Sequence, residues 1–310
     1  MTELLTAPAL TDVLLRRELV EAGHTDRAIA RLVSDGSLVK LRHGAYAAAA
    51  SWAAADQAGR TRLVTRAVLR QARAELVVSH GSAMAEHDGP MWGLPDDATH
   101  VTRIAGHAGR REAGVVQHQG LLLPGDVVER DGVRVTSGVR TAIDVTTQVG
   151  VEAALVAVNH LLHTGRATPE QLQERYATME HHPGTLTTDV VLRLADPRIE
   201  SVGESRTFYL MWRQGLPKPE PQVWVLDRQG AAFARVDFAW PERKRWLEFD
   251  GRQKYVKFLR EGETVTDAVL REKRREELIS ELTGWRCLRV TWADLADPVG
   301  LAARIRAFLF

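Results

Sequence analysis

The amino-acid sequence predicts an α+β protein of several domains, and three observations carry that expectation. The chain has 310 residues, enough for two or three domains at roughly 100–200 residues each. Apolar residues recur at helical spacing in some stretches and alternate in others, so helices and strands are both expected. Hydrophobic residues make up 45% and charged residues 26%, the usual composition of a chain with packed cores and no extensive disorder.

Bulk properties narrow the class of function. No apolar run approaches the ~20 residues needed to span a bilayer. The amino terminus, MTELLTAPALTDVLLRRELVE, carries acids among its leucines and lacks a basic start, which speaks against a secretory leader. Cys287 is the single cysteine, so no internal disulfide and no thiolate metal cluster can form; a cytoplasmic setting is the expectation. Cys287 lies in Trp285-Arg286-Cys287-Leu288 and reads as a small buried hydrophobe. The net charge of +1 gives no whole-molecule signal for nucleic acid. A binding face has to come from local clusters such as Arg243-Lys244-Arg245 and Arg271 to Arg275.

The first domain is expected over residues 1–50. Thr11 to Ala22 places leucines and valines at helical spacing, and Gly23 ends the pattern. Thr25 suits an N-cap for a helix from Asp26 to Ser34. That helix puts Ile29, Leu32 and Val33 on one face, with Arg27 and Arg31 four apart on another. Asp35-Gly36 turns, Ser37 to Arg42 alternates as a strand, His43-Gly44 turns, and Ala45 to Ala47 returns. Helix, turn, helix and a hairpin with a basic tip is the order of a winged helix. A helix of this kind can enter the major groove, where Arg27 and Arg31 meet guanine edges or phosphates. Lys40, Arg42 and His43 on the hairpin can reach the neighbouring backbone of double-stranded DNA. The alternative is a structural or dimerising module.

Residues 51–198 are expected to form an α+β module followed by helices. A helix fills 51–75, Glu75 to Ser79 is a short apolar strand, and Gly81 to Ala85 starts a helix. Thr99 to Ile104 and Gly114 to His118 are further strands. Asp131-Gly132 is a tight turn between two strands. Helices follow over Thr141 to Val149, Val151 to His163, Pro169 to Met179 and Thr187 to Ala195. His80, His87, His100, His107 and His118 match no compact ligand spacing, so they read as scattered rather than metal-binding.

Two parts of this region resemble AbiEi-type antitoxins. Thr25 to Tyr46 is similar to the amino-terminal domain of that family. Val78-Ser79-His80-Gly81-Ser82-Ala83, Gly93-Leu94-Pro95, His100-Val101-Thr102 and Val135 to Asp144 resemble the segment that follows. The resemblance implies DNA binding, often autoregulatory at an operator, and a toxin partner protein that is a nucleotidyltransferase.

Residues 199–310 carry the densest chemistry. Glu204 opens a helix that runs to Gln214 and is capped by Gly215. Gln222 to Leu226, Phe233 to Trp240 and Arg245 to Gly251 read as three strands joined by turns. Side chains alternate along a strand, so Trp246, Glu248 and Asp250 share one face. Asp237 lies across a hairpin, where neighbours sit about 5 Å apart. Asp237, Glu248 and Asp250 can then converge, and three carboxylates brought together need a compensating cation. Mg²⁺ is the expected partner, able to polarise a phosphodiester and lower the pKa of a bound water. Glu204 is expected to support the site, and Lys254 to stabilise charge on the phosphate. The alternative is a hairpin with solvent-facing charges.

This pattern resembles the PD-(D/E)XK nuclease superfamily, near the very-short-patch repair endonucleases. The similar stretches are Arg235-Val236-Asp237-Phe238, Leu247-Glu248-Phe249-Asp250-Gly251, Gly284 to Thr291 and Asp294-Leu295. The resemblance implies a restriction-endonuclease-like α/β domain with a mixed sheet and a metal-dependent DNA endonuclease. One departure is plain: Asp250 stands where that pattern has lysine. Glu272, Lys273 and Glu276 on the helix Thr266 to Leu282 either close over the metal pocket or form a salt-bridged surface. The expected function is therefore a DNA-binding protein with a Mg²⁺-dependent endonuclease domain. The alternative is an antitoxin-like autoregulator whose nuclease-like domain is inert. An RNA-directed nuclease is a third reading.

Overall fold

A computed structural model describes residues 12–103, 109–179, 185–251 and 264–310. The architecture is mixed α and β, divided into two compact units, Met1–Ala195 and Asp196–Phe310.

The first unit opens with a three-stranded sheet. β1 (Val13–Leu15), β2 (Leu38–Arg42) and β3 (Ala45–Ala48) are arranged β1-β3-β2, all antiparallel. Between β1 and β2 lie α1 (Arg16–Glu21) and α2 (Asp26–Ser34). The Thr25 hydroxyl accepts from the Ala28 N–H and caps α2 as expected. The helix expected over Thr11 to Ala22 is instead a strand followed by a helix. Val13 and Leu15 are buried and pair with Ala47 and Ala45, and that sheet pairing outweighs local spacing. Leu19, Ile29 and Leu38 pack together with Leu32, Val33 and Tyr46.

The helix expected over 51–75 is two helices, α3 (Ala49–Ala54) and α4 (Gln57–Gln71). Asp56 breaks the run because its carboxylate caps α4 at the Gly59 N–H. α4 joins the segments that sequence reading placed in separate domains. Its Leu63 and Ala67 pack with Val13, Leu15, Ala45 and Ala47. Its Val68 packs with Val101 and Val115.

Those valines belong to a six-stranded mixed sheet. β4 (Leu76–Val78), β5 (Thr99–Arg103), β6 (Arg110–Glu112), β7 (Val115–His118), β8 (Val127–Arg130) and β9 (Val133–Thr136) are ordered β6-β7-β5-β4-β9-β8. β6 was not anticipated; it is an edge strand of exposed Arg110, Arg111 and Glu112 with no apolar alternation. α5 (His80–Glu86) is wholly buried. α6 (Gly138–Gln148), α7 (Val151–His163), α8 (Pro169–Ala177) and α9 (Thr185–Leu194) complete the unit.

The second unit contains α10 (Val202–Arg213), β10 (Glu220–Leu226), β11 (Ala232–Trp240), β12 (Arg245–Asp250), α11 (Val265–Thr283), β13 (Arg286–Thr291) and α12 (Pro298–Leu309). The strands run β10-β11-β12-β13, antiparallel except for the parallel pair β12–β13. Trp246 packs with Val236 and with Ile279 of α11. On the opposite side, Gly203 of α10 lies so close to the Phe249 ring that an added Cβ would fall 2.0 Å from it. Trp246 and Phe249 therefore place α11 and α10 against different faces of the sheet.

Candidate functional site

The acids singled out in the second unit sit where β11 and β12 part. Their paired register ends at Phe238 opposite Leu247, one residue short of Asp237 and Glu248. Beyond that point Asp237 Oδ2 accepts the Phe249 N–H at 2.8 Å. Glu248 is 8% exposed, and burial raises its pKa, with the Asp237 charge pushing the same way. The two carboxylates are thus electrostatic neighbours.

Two arginines share the pocket. Arg275 of α11 donates from Nη1 to Glu248 Oε1 at 2.5 Å and lies 3.3 Å from Glu272 Oε2. Its Nη2 donates to the Arg235 carbonyl at 2.6 Å. Arg289 of β13 pairs in register with Glu248. It donates from Nε to Glu276 Oε2 at 3.0 Å and lies 3.9 Å from Glu248 Oε2 and 3.8 Å from Asp250 Oδ2. Both guanidinium pKa values are raised, burial opposing and the nearby carboxylates prevailing. Glu272 and Glu276 on this helix meet the same two arginines in ion pairs, while Lys273 is exposed.

Glu204 takes another part. It is buried, and its carboxylate accepts from the Ser201 hydroxyl at 2.6 Å, the Glu200 N–H at 3.1 Å and Gln222 Nε2 at 2.9 Å. Gln222 reaches it from a left-handed backbone, φ +56°. Ser201 caps the helix by accepting the Glu204 N–H at 3.1 Å, and the Glu204 carboxylate ties Glu200, Ser201 and Gln222 together. Lys254 lies outside the described residues.

As placed here, the carboxylates of this pocket face arginines. Among the described residues no group of three or more His, Cys, Asp or Glu is arranged to hold a metal ion. The compensating charge that the carboxylates need comes from Arg275 and Arg289 instead.

At the front of the chain, Arg27 and Arg31 on α2 and Lys40 on β2 are exposed. Arg16 fixes the start of α2 through a two-pronged contact with Asp26, at 2.7 and 2.6 Å. Arg42 is half-buried and donates to the Ala113 carbonyl at 3.4 Å. Burial lowers its pKa.

Sequence reading missed one arrangement. His80, His100 and His118, expected to be scattered, come together. The His80 and His118 rings stack at 3.5 Å between centroids. His100 Nδ1 lies 2.8 Å from His118 Nε2. The signal was available in the topology, because β4, β5 and β7 are adjacent strands and each histidine is on or just after one of them. Asp144, held by Arg140 Nε at 2.7 Å, lies 3.8 Å from His80 Nδ1. Burial and the two neighbouring imidazoles lower the His118 pKa to about 3. His87 stands apart, bonded to the Thr136 carbonyl at 2.8 Å, and His107 lies outside the described residues.

No family model matches the chain. It is 28% identical over 281 residues to an uncharacterized protein of Mycobacterium tuberculosis strain H37Rv, Rv2248, covering 89% of this chain and 94% of that protein. Uncharacterized protein MT2308 of strain CDC 1551 shows the same identity and coverage. The crystal structure of the RV2827C protein from Mycobacterium tuberculosis is similar at 17% identity and a TM-score of 0.37, covering 61% of this chain and 72% of that one. A likeness that loose carries no argument about fold or function.

Proposed function

We propose that the protein is a DNA-binding regulator of the antitoxin type, whose second unit is nuclease-like in design but works as a binding module for DNA or a toxin partner. The observation that carries the reading is the exposure of Arg27 and Arg31 one turn apart on α2, beside exposed Lys40 on the hairpin. A short helix with cations on its free face can lie along a duplex groove, and phosphate contacts from the hairpin set its register. Arg42 contributes little, because its guanidinium is directed to the Ala113 carbonyl. Among the described residues no helix is long and apolar enough to cross a membrane, and the reading places the protein in the cytoplasm. A gel shift on duplex DNA from the protein's own upstream region tests the reading. Arg27→Ala with Arg31→Ala should abolish the shift, and an undiminished shift would remove α2 from the interface.

A second reading is favoured by one observation, the electrostatic closeness of Asp237 and Glu248. Here the second unit is a divalent-metal-dependent phosphodiesterase in which Arg275 and Arg289 swing away from Glu248, so that Asp237 and Glu248 serve as ligands and Asp250 assists. Plasmid incubated with protein and Mg²⁺ would be nicked, and Asp237→Asn and Glu248→Gln would each stop the nicking. Equal nicking by all three proteins would assign it to a contaminant.

A further inference from the structure

The site that resembles a metal centre already holds its own cations, and their placement has a consequence for metal binding. Both oxygens of Glu248 face a guanidinium, Oε1 with Arg275 at 2.5 Å and Oε2 with Arg289 at 3.9 Å. Neither arginine is loosely placed. Arg275 is anchored by the Arg235 carbonyl and Glu272, and Arg289 by Glu276. Asp250 also looks onto Arg289, and Asp237 already accepts the Phe249 N–H.

A Mg²⁺ ion requires oxygens at about 2.0–2.1 Å in near-octahedral order. At Glu248 it would meet two positive charges within a few ångströms, in a half-buried pocket where repulsion is weakly screened. We propose that Arg275 and Arg289 are the built-in counter-ions of this pocket and exclude divalent metal from Glu248. This proposal rests on the nuclease-like reading of the second unit, in which guanidinium and metal compete for one carboxylate. It also gives Glu272 and Glu276 a role. Each supplies a second carboxylate to one arginine, so the cations stay in place without drawing all their compensation from Glu248.

The test is Mn²⁺ binding to the full chain, followed by calorimetry and by the electron paramagnetic resonance of free Mn²⁺. The wild type should show no uptake dependent on Glu248. Arg275→Met and Arg289→Met should each bind Mn²⁺ at least about tenfold more tightly than the wild type, and adding Glu248→Gln should remove the gain. Arg275→Lys keeps the charge and should behave as the wild type. Because Arg275→Met leaves a buried acid without its closest partner and can unfold, Arg289→Met, which keeps the Arg275–Glu248 contact, carries the same test. Wild-type binding as tight as that of the methionine variants overturns the inference, as does a gain that survives Glu248→Gln, or no Mn²⁺ uptake by any variant. The outcomes separate the two ideas. Glu248-dependent binding by the wild type sinks the inference while favouring the phosphodiesterase reading. The DNA-binding reading stands or falls on the gel shift alone.

Discussion

Asp237 Oδ2 accepts the backbone N–H of Phe249 at 2.8 Å. A side-chain oxygen, rather than a strand carbonyl, thus closes the join between β11 and β12 beside Glu248. The contact makes Asp237 a structural residue whatever chemistry the pocket performs. Asp237→Asn keeps an acceptor oxygen and should unfold in urea close to the wild-type midpoint. Asp237→Ala leaves the Phe249 N–H without its acceptor and should cost about 1–3 kcal/mol. Coincident unfolding curves for the alanine variant and the wild type would show that the bond contributes nothing.

Gly203 and Phe249 set the seat of α10 on the sheet. A Cβ at position 203 would lie 2.0 Å from the Phe249 ring, so helix or ring must move. Gly203→Ala should destabilise the second unit by roughly 1–3 kcal/mol through overpacking. Trp246→Ala, at a fully buried side chain, should cost about 3–5 kcal/mol through the cavity it leaves. Denaturant unfolding followed by tryptophan fluorescence reads the first, and circular dichroism the second. A glycine substitution without effect would mean that the ring relaxes freely.

Acid should weaken the first unit through its histidines. Burial lowers His118 to about 3 and His87 to about 4, against about 6.5 in an unfolded chain. Between those values the unfolded state binds more protons, so stability falls as pH falls. The contribution is complete above about pH 6.5 and is lost progressively towards the folded-state values. Melting temperatures measured from pH 7 down to about 4 should decline less steeply in His118→Asn than in the wild type. Parallel profiles would remove His118 as a contributor.

Salt should report the DNA-binding arginines. Each phosphate contact contributes about 0.9 to the slope of log affinity against log salt. If Arg27 and Arg31 each meet a phosphate, the double alanine variant should lower that slope by roughly 2. Arg42→Ala should leave it near the wild-type value. An Arg42→Ala effect as large as that of the double variant would mean that the hairpin swings away from Ala113 when DNA binds.

Much of the second unit was legible in the sequence. Alternation marked β11 and β12 to within a residue or two, and Gly215 marked a helix end, at positive φ. The expected capping role of Thr25 came from residue chemistry alone. Legibility failed where partners distant in sequence decide. Val13 to Leu15 carry a helical pattern and become a strand because β3 offers hydrogen bonds and cover. Glu204 reads as a site carboxylate, and only the fold brings Gln222 Nε2 to its oxygen.

Taken alone, the sequence determined which residues prefer helix or strand, where the turns fall, and that acids cluster near Asp237 and Glu248. These follow from local sterics, capping and periodicity, which act over a few residues. Only the tertiary structure decided how the acids are neutralised and that three histidines stack. Arg275 and Arg289 reach Glu248 from α11 and β13, and charges separated along the chain pair only after the sheet and its crossing helix have placed them within a few ångströms. Coulombic attraction depends on that distance and on burial, and neither is written in the order of the residues.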